Sequence, residues 1–146
     1  MVALGSPTQS PPEIVVLYCR QTLARDVKEP QGVRKLDGFN VRLVLLPCSS
    51  KVETPHFLRI LETGAAGVLL VACPEKTCTF LVGNSRAERR IAYAQGLLAQ
   101  VGMGTERLQM TRAADLTLED LMELAARQAE LVKPLGPNPM QQGGDQ

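Results

Sequence analysis

The stretch GAAGVLLVACPEKTCTFLVGN, residues Gly64–Asn84, decides how the fold of this chain is interpreted. Its apolar run Val68–Ala72 ends at Cys73, Cys78 follows five residues later, and Gly83-Asn84 opens the longest helical pattern of the sequence. A short continuous apolar run is typical of a strand buried on both faces, as in a parallel sheet. The stretch therefore predicts a strand, a cysteine-bearing loop and a helix in succession.

The other two cysteines stand in the same position relative to apolar runs. Cys19 ends a strand predicted from Glu13 to Tyr18, and Cys48 follows a strand predicted from Val41 to Leu46. In an open parallel sheet, ligand sites lie outside the carboxyl ends of the strands. We therefore expect four sulfur atoms to meet at one edge of the sheet, those of Cys19, Cys48, Cys73 and Cys78.

Helical patterns alternate with these strands. We expect a helix over Arg20–Val27 that resumes at Val33–Leu36 after an interruption, and a second helix over Thr54–Gly64. A third is expected from Asn84 or Ser85 to about Val101. A last helix should begin after Thr117, which forms a capping box with Asp120. The buried faces of the last two helices are expected to include Val101 and Leu131, and a fourth short strand is expected over Glu106–Met110. The alternation predicts the α/β class: a three-layer parallel sheet of about four strands with alternating helices, Rossmann- or flavodoxin-like.

Length and composition limit the classes of function. The 146 residues predict a single α/β domain over 13–133, with disordered tails over 1–12 and 134–146. The net charge of +1, with acids and bases interspersed, argues against a nucleic-acid partner. Since no apolar run approaches about 20 residues, we expect no membrane span. The first residues lack the pattern of a signal peptide, so we expect a cytoplasmic protein whose cysteines bind metal or act in catalysis.

Four thiolates suit either a tetrahedral zinc ion or an iron–sulfur cluster. The helix that begins near Asn84 directs its N-terminal amides toward the Cys73–Cys78 loop, and Lys51 and Lys76 lie in the cysteine loops. These positive charges favour a negatively charged cluster. The structural alternative is that the cysteines are small buried core residues.

Further motifs follow one another along the chain in a specific order. They are PCSSKV at Pro47, GAAGVLLVAC at Gly64, C-x4-C followed by Gly83-Asn84, G-x-x-x-ER ending at Glu106-Arg107, and LGP at Leu135. In order and spacing, this set resembles the delta-subunit family of methyl-viologen-reducing hydrogenase, whose members are also called hydrogenase iron–sulfur subunits. The resemblance runs from about Ile14 to Pro137.

This resemblance implies one [2Fe–2S] cluster, for which the chain offers Cys19, Cys48, Cys73 and Cys78. It also implies electron transfer between two kinds of partner. One is a subunit of a hydrogenase, formate dehydrogenase or other dehydrogenase, and the other is a heterodisulfide-reductase-like flavin and iron–sulfur subunit. Members of the family are subunits of oxidoreductase complexes rather than stand-alone enzymes.

The chain departs from the family pattern at three places. Thr22 stands where the family typically has a second cysteine, three residues after the first. Ser50-Lys51 stands where Gly-Arg is frequent, and Thr79 stands where His often follows the last cysteine. Four cysteines remain, which is sufficient for one cluster.

Two other functions are compatible with parts of the sequence. Cys19 and Arg25 form a C-x5-R pattern, as in a small cysteine-dependent phosphatase or arsenate reductase, but the loop lacks the glycines of an anion cradle. A zinc-bound or cluster-free assembly module is the other possibility. His56 has no partner acid assigned to it by the sequence, and no phosphate-binding glycine motif is present, so we expect no nucleotide. Three arginines after Asn84 form either a solvated helix face or a docking patch for an acidic partner: Arg86, Arg89 and Arg90.

Overall fold

The computed structural model of the chain describes residues 12–36, 38–46, 54–73, 83–136 and 138, and for residues 83–86 the backbone alone. The strands in these ranges are β1 (Glu13–Cys19), β2 (Gly32–Leu36), β3 (Phe39–Leu46), β4 (Gly67–Ala72) and β5 (Leu108–Arg112). The α-helices are α1 (Thr54–Glu62), α2 (Gly83–Gln100) and α3 (Leu118–Val132). Short 3-10 turns span Arg20–Thr22, Thr105–Arg107 and Lys133–Leu135.

The strands form one sheet in the order β2-β3-β1-β4-β5. β1 pairs in parallel with β3 on one side and with β4 on the other, and β4 pairs in parallel with β5. Only the edge strand β2 is antiparallel, to β3, among the strands described. The α/β class with a Rossmann- or flavodoxin-like parallel sheet is confirmed, with five strands instead of about four.

The predicted helices over Arg20–Val27 and Val33–Leu36 are wrong. The first segment forms only the 3-10 turn Arg20–Thr22, and the second is the strand β2. Gly32 has a φ of +92°, which ends any helical continuation, and Gly38 has a φ of +80° in the tight turn that leads into β3. The first crossover of the sheet is therefore completed by a β-hairpin, where the sequence pattern predicted a helix.

The sheet is covered on both faces, because alternate residues of β1 point in opposite directions. Val15 and Leu17 belong to the core cluster with α1 and α2, while Val16 and Tyr18 belong to the cluster with α3. The three-layer arrangement that was expected is present. The buried face of α3 comprises Leu121, Ala125, Gln128, Ala129 and Val132.

Two residues expected in the core are exposed. Val101 is 69% exposed just after α2, and Leu131 is 46% exposed on α3. Because the buried residues of α3 recur at three- and four-residue spacing up to Val132, Leu131 falls beside that stripe. Apolar character alone did not place these two side chains correctly.

Residues 135, 136 and 138, which fall within the segment expected to be a disordered tail, contact the domain. Lys133–Leu135 forms a 3-10 turn, and Asn138 is buried, with its side-chain amide donating to the carbonyls of Leu61 and Ala65 at 2.7 and 2.6 Å. These contacts lie at the amino ends of the strands, opposite the cysteine edge. Among the helices described, none has the length and hydropathy needed to cross a membrane.

Candidate functional site

Cys19 and Cys73 lie at the same edge of the sheet. Cys19 is the last residue of β1, and Cys73 follows Ala72, the last residue of β4. In the parallel register of these neighbouring strands, Tyr18 pairs with Val71, so Cys19 lies one residue and Cys73 two residues beyond that pair. Adjacent strands are about 4.8 Å apart, which brings the two backbones close together. Both cysteines are buried, at 1% exposure each.

Cys48 and Cys78 lie outside the described residues, as do Lys51, Lys76 and Thr79. The described end of the neighbouring strand lies beside Cys19, because Leu46, the last residue of β3, pairs with Cys19. Cys48 is two residues further along the chain. The meeting of all four cysteines therefore stays a prediction, supported by the end points of three parallel strands.

Thr22 is buried directly behind Cys19. Its hydroxyl donates to the carbonyl of Cys19 at 2.6 Å, and its own carbonyl accepts from the backbone N–H of Leu116 at 2.8 Å. The carbonyl of Leu116 in turn accepts from the N–H of Ala24 at 2.9 Å. The residue that replaces a family cysteine is thus part of a hydrogen-bonded frame between the loops after β1 and β5.

Two arginines described at this edge form ion pairs. Arg20 forms an ion pair with Glu29, and Arg112, the last residue of β5, lies 3.2 Å from the carboxylate of Glu88 on α2. The α2 helix begins at Gly83, five residues after Cys78 in the sequence. The dipole at the N-terminus of this helix favours negative charge. The dipole is the electrostatic feature of this edge that would stabilise an anionic cluster.

Tyr18 remains neutral over the physiological range. It is fully buried under the segment that follows β1, and its hydroxyl donates to the carbonyl of Pro30. Burial and, secondarily, the charge of Glu29 raise the pKa of Tyr18 to about 12. Tyr18 therefore ties the irregular 20–31 segment to the sheet as a hydrogen-bond donor.

The C-x5-R segment does not form an anion cradle. Such a loop needs backbone N–H groups that converge on the anion held by the thiolate. Here the N–H of Leu23 donates to Arg20 and the N–H of Ala24 donates to Leu116, so both amides are already used within the protein. Arg25 is exposed at the surface. The geometry disfavours a phosphatase-like or arsenate-reductase-like nucleophile at Cys19.

The donor atoms at the cysteine edge suit a soft metal or an iron–sulfur cluster. Cys19 and Cys73 would be two of its ligands, and a thiolate set favours zinc or iron–sulfur chemistry over hard cations. Within the described residues, no group of three or more His, Cys, Asp or Glu side chains could hold a metal ion. A complete site needs Cys48 and Cys78 as well. His56 is exposed on α1.

The sequence pattern predicts the edge of the sheet at which Cys19 and Cys73 lie. It does not predict the hydrogen-bonded frame of Thr22 and Leu116 beside Cys19. The contact between Thr22 and Leu116 joins residues far apart in the chain, and no local pattern signals such a hydrogen bond. The one signal was Thr22 itself, a polar residue at a position where the family resemblance predicts a cysteine.

Comparisons with known proteins identify the family of the chain. The family model described as "Methyl-viologen-reducing hydrogenase, delta subunit" matches residues 14–136. The iron–sulfur subunit of an F420-non-reducing hydrogenase from Methanocaldococcus jannaschii is 30% identical over 132 residues, which cover 87% of this chain and 96% of that relative. The corresponding protein of Methanococcus maripaludis is 32% identical over 101 residues, covering 69% of this chain and 75% of the relative.

A relative of another kind is much longer. It is a subunit of a CoB-CoM heterodisulfide reductase from Methanosarcina acetivorans, named as dependent on ferredoxin and F420H2, and it is 25% identical over 100 residues. The match covers 66% of this chain but only 13% of that relative. A domain similar to this one is therefore a small part of a heterodisulfide reductase polypeptide.

Proposed function

Because the chain belongs to the family of methyl-viologen-reducing hydrogenase delta subunits, we propose that it is an electron-transfer subunit carrying one [2Fe–2S] cluster. The proposed ligands are Cys19, Cys48, Cys73 and Cys78. The protein would relay electrons from a hydrogenase or other dehydrogenase to the flavin and iron–sulfur subunit of a heterodisulfide-reductase-like complex, or in the reverse direction. It would perform no substrate chemistry of its own.

The observation that carries this proposal is the position of two buried thiols at the carboxyl ends of adjacent parallel strands. Cys19 and Cys73 come from β1 and β4, and β3 ends beside Cys19 two residues before Cys48. Two of the four cysteines therefore lie at one edge, and the described end of β3 beside Cys19 is compatible with Cys48 as a third ligand. When bound there, an iron–sulfur cluster accepts and releases single electrons. Burial of the thiols excludes water and raises the influence of nearby dipoles on the potential of such a centre.

The names of the relatives support the choice of partners. Several are iron–sulfur subunits of hydrogenases, and others are subunits of heterodisulfide reductases. A domain that occurs within a heterodisulfide reductase chain in one organism is a reasonable partner of such a chain in another. The proposal also includes a formate dehydrogenase as an electron donor and a cytoplasmic location for the protein.

The type of metal centre can be tested on the purified protein. The protein is purified without oxygen, and iron, zinc and acid-labile sulfide are measured together with the visible spectrum. We expect a coloured protein with two iron and two sulfide per chain, since this is the composition of a [2Fe–2S] cluster. A colourless protein with one zinc per chain would instead support the zinc-bound assembly module.

The relay can be tested with a partner protein. Protein reduced by one electron per chain is mixed with the oxidised flavin and iron–sulfur subunit of a heterodisulfide reductase, and the reoxidation of the cluster is followed by its absorbance. Rapid reoxidation that requires the partner supports the relay. Retention of the electron in the presence of a partner that is shown to bind contradicts it.

A further inference from the structure

The loop between β5 and α3 connects the backbones of both described cysteines. At one end, the N–H of Ala113 donates to the carbonyl of Ala72 at 2.9 Å, directly before Cys73. At the other end, the N–H of Leu116 donates to the carbonyl of Thr22 at 2.8 Å. The loop therefore spans from the end of β4 to the turn that follows β1.

The loop turns sharply between these two contacts. Asp115 has a φ of +57°, the left-handed conformation that few residues other than glycine adopt and that aspartate tolerates better than most. This turn brings Leu116 back over the sheet, where it pairs with Leu23 in an isolated parallel bridge. Leu116 is itself buried in the core cluster with α3. The loop is held by packing as well as by hydrogen bonds.

Thr22 completes the connection to Cys19. Its side chain is fully buried, and its hydroxyl donates to the Cys19 carbonyl at 2.6 Å. A buried hydroxyl without a partner costs free energy, so this contact defines one side-chain orientation. One continuous hydrogen-bonded path thus runs from Cys19 through Thr22 and the 113–116 loop to Ala72, next to Cys73.

We propose that Thr22 is a positioning residue for the metal centre, and that with the 113–116 loop it fixes the backbone of Cys19 relative to that of Cys73. This inference rests on the proposed function, since it assigns Thr22 a role in ligand geometry. Metal sites depend on groups behind the ligands that hold them in place, and removing such a group typically weakens metal retention about 10- to 100-fold. Thr22 supplies such a hydrogen bond to the backbone of the ligand itself.

The chain offers a matched control. Thr63 also donates its hydroxyl to the carbonyl three residues earlier, that of Ile60, at 2.7 Å. It lies after α1, near the amino ends of the strands and away from the cysteine edge. Thr63→Val therefore removes a hydrogen bond of the same local geometry, at an exposed position, without touching the proposed frame.

The first test measures loss of iron to a chelator under anaerobic conditions. Thr22→Val, Thr22→Ser and Thr63→Val are compared with the natural protein at a temperature where circular dichroism shows each to be folded. We expect Thr22→Val to lose iron roughly 10-fold faster, because its isosteric side chain cannot donate. Thr22→Ser restores the donor and Thr63→Val leaves the frame intact, so both should match the natural protein. Equal iron loss by Thr22→Val and the natural protein, even with a lowered melting temperature, overturns the proposal.

A second test does not require a cluster. In metal-free protein, alkylation of the individual thiols by a maleimide is followed by mass spectrometry. Thr22→Val should alkylate Cys19 several-fold faster than the natural protein, with Thr63→Val unchanged. If the natural protein binds no iron, the electron-transfer proposal fails, and the alkylation rates alone then test the positioning role of Thr22. An unchanged rate at Cys19 in Thr22→Val overturns that role.

Discussion

Nη2 of Arg107 lies 3.0 Å from the carbonyl oxygen of Gly136, 29 residues later in the chain. The same guanidinium donates to the carbonyls of Met103 and Ala66 at 3.0 and 2.9 Å. Arg107 is 1% exposed, and burial lowers its pKa. This contact joins the G-x-x-x-ER motif to the LGP motif of the family resemblance. The two motifs therefore hold the fold together at a place distant from the cysteines.

Replacing Arg107 should destabilise the fold. Arg107→Met keeps much of the side-chain volume but leaves buried carbonyls without a donor, and we expect the free energy of unfolding to fall by about 3 kcal/mol. Urea unfolding followed by circular dichroism measures the change. Arg89→Met, at an exposed position on α2, should change stability by less than about 0.5 kcal/mol. Equal stabilities of the two variants would contradict the role of Arg107.

Asn138 should contribute to stability although it lies in a Pro- and Gly-rich segment. Its buried amide bonds to the Leu61 and Ala65 carbonyls, so Asn138→Ala should cost about 2 kcal/mol. The matched amide control is Gln100→Ala at an exposed position, expected to be near neutral. A loss no larger than that of the control would show that the segment is not held by Asn138.

Tyr18 should make the fold sensitive to alkaline pH. Its pKa is about 12 in the folded protein and near 10.0 when unfolded, so the unfolded chain binds fewer protons between these values. The stabilisation is therefore complete below pH 10 and is lost as the pH rises through 12, by roughly 3 kcal/mol in all, about half of it by pH 11. Urea titrations at pH 9 and pH 11 measure it. Tyr18→Phe should have a smaller decrease, while Tyr93→Phe, at an exposed tyrosine, should retain the decrease of the natural protein.

The capping box of α3 should have a measurable but smaller effect. Thr117 Oγ1 accepts from the N–H of Asp120 at 3.2 Å, and the Asp120 carboxylate accepts from the N–H of Thr117 at 3.0 Å. Thr117→Ala should cost about 1 kcal/mol, and Thr117→Ser should retain most of the stability. Equal losses in both variants would assign the effect to the methyl group instead of the cap.

The sequence predicted those parts of the fold that rest on local patterns. The apolar runs of β1, β3 and β4 predicted buried parallel strands, and Thr117 with Asp120 predicted the start of α3. These predictions succeeded because continuous apolar runs and capping residues leave a signature within a few residues.

Features that depend on distant contacts were not predictable. β2 is a short edge strand without a strong pattern, and it exists because it pairs with β3. Asn138 is buried and donates to acceptors more than 70 residues away in sequence. Its Pro- and Gly-rich surroundings instead predicted a disordered segment. At the cysteine edge, the position of Cys19 and Cys73 at the ends of strands was predictable, whereas the frame through Thr22 and Leu116 required the three-dimensional structure.

The most direct test of the account is the iron content of four single variants: Cys19→Ala, Cys48→Ala, Cys73→Ala and Cys78→Ala. Each is purified anaerobically beside the natural protein and Thr63→Val. If the four thiols hold one cluster, each cysteine variant should lose most of its iron and its visible absorbance, while Thr63→Val keeps both. Full iron content in the Cys19→Ala or the Cys73→Ala variant would contradict a centre shared by the ends of β1 and β4.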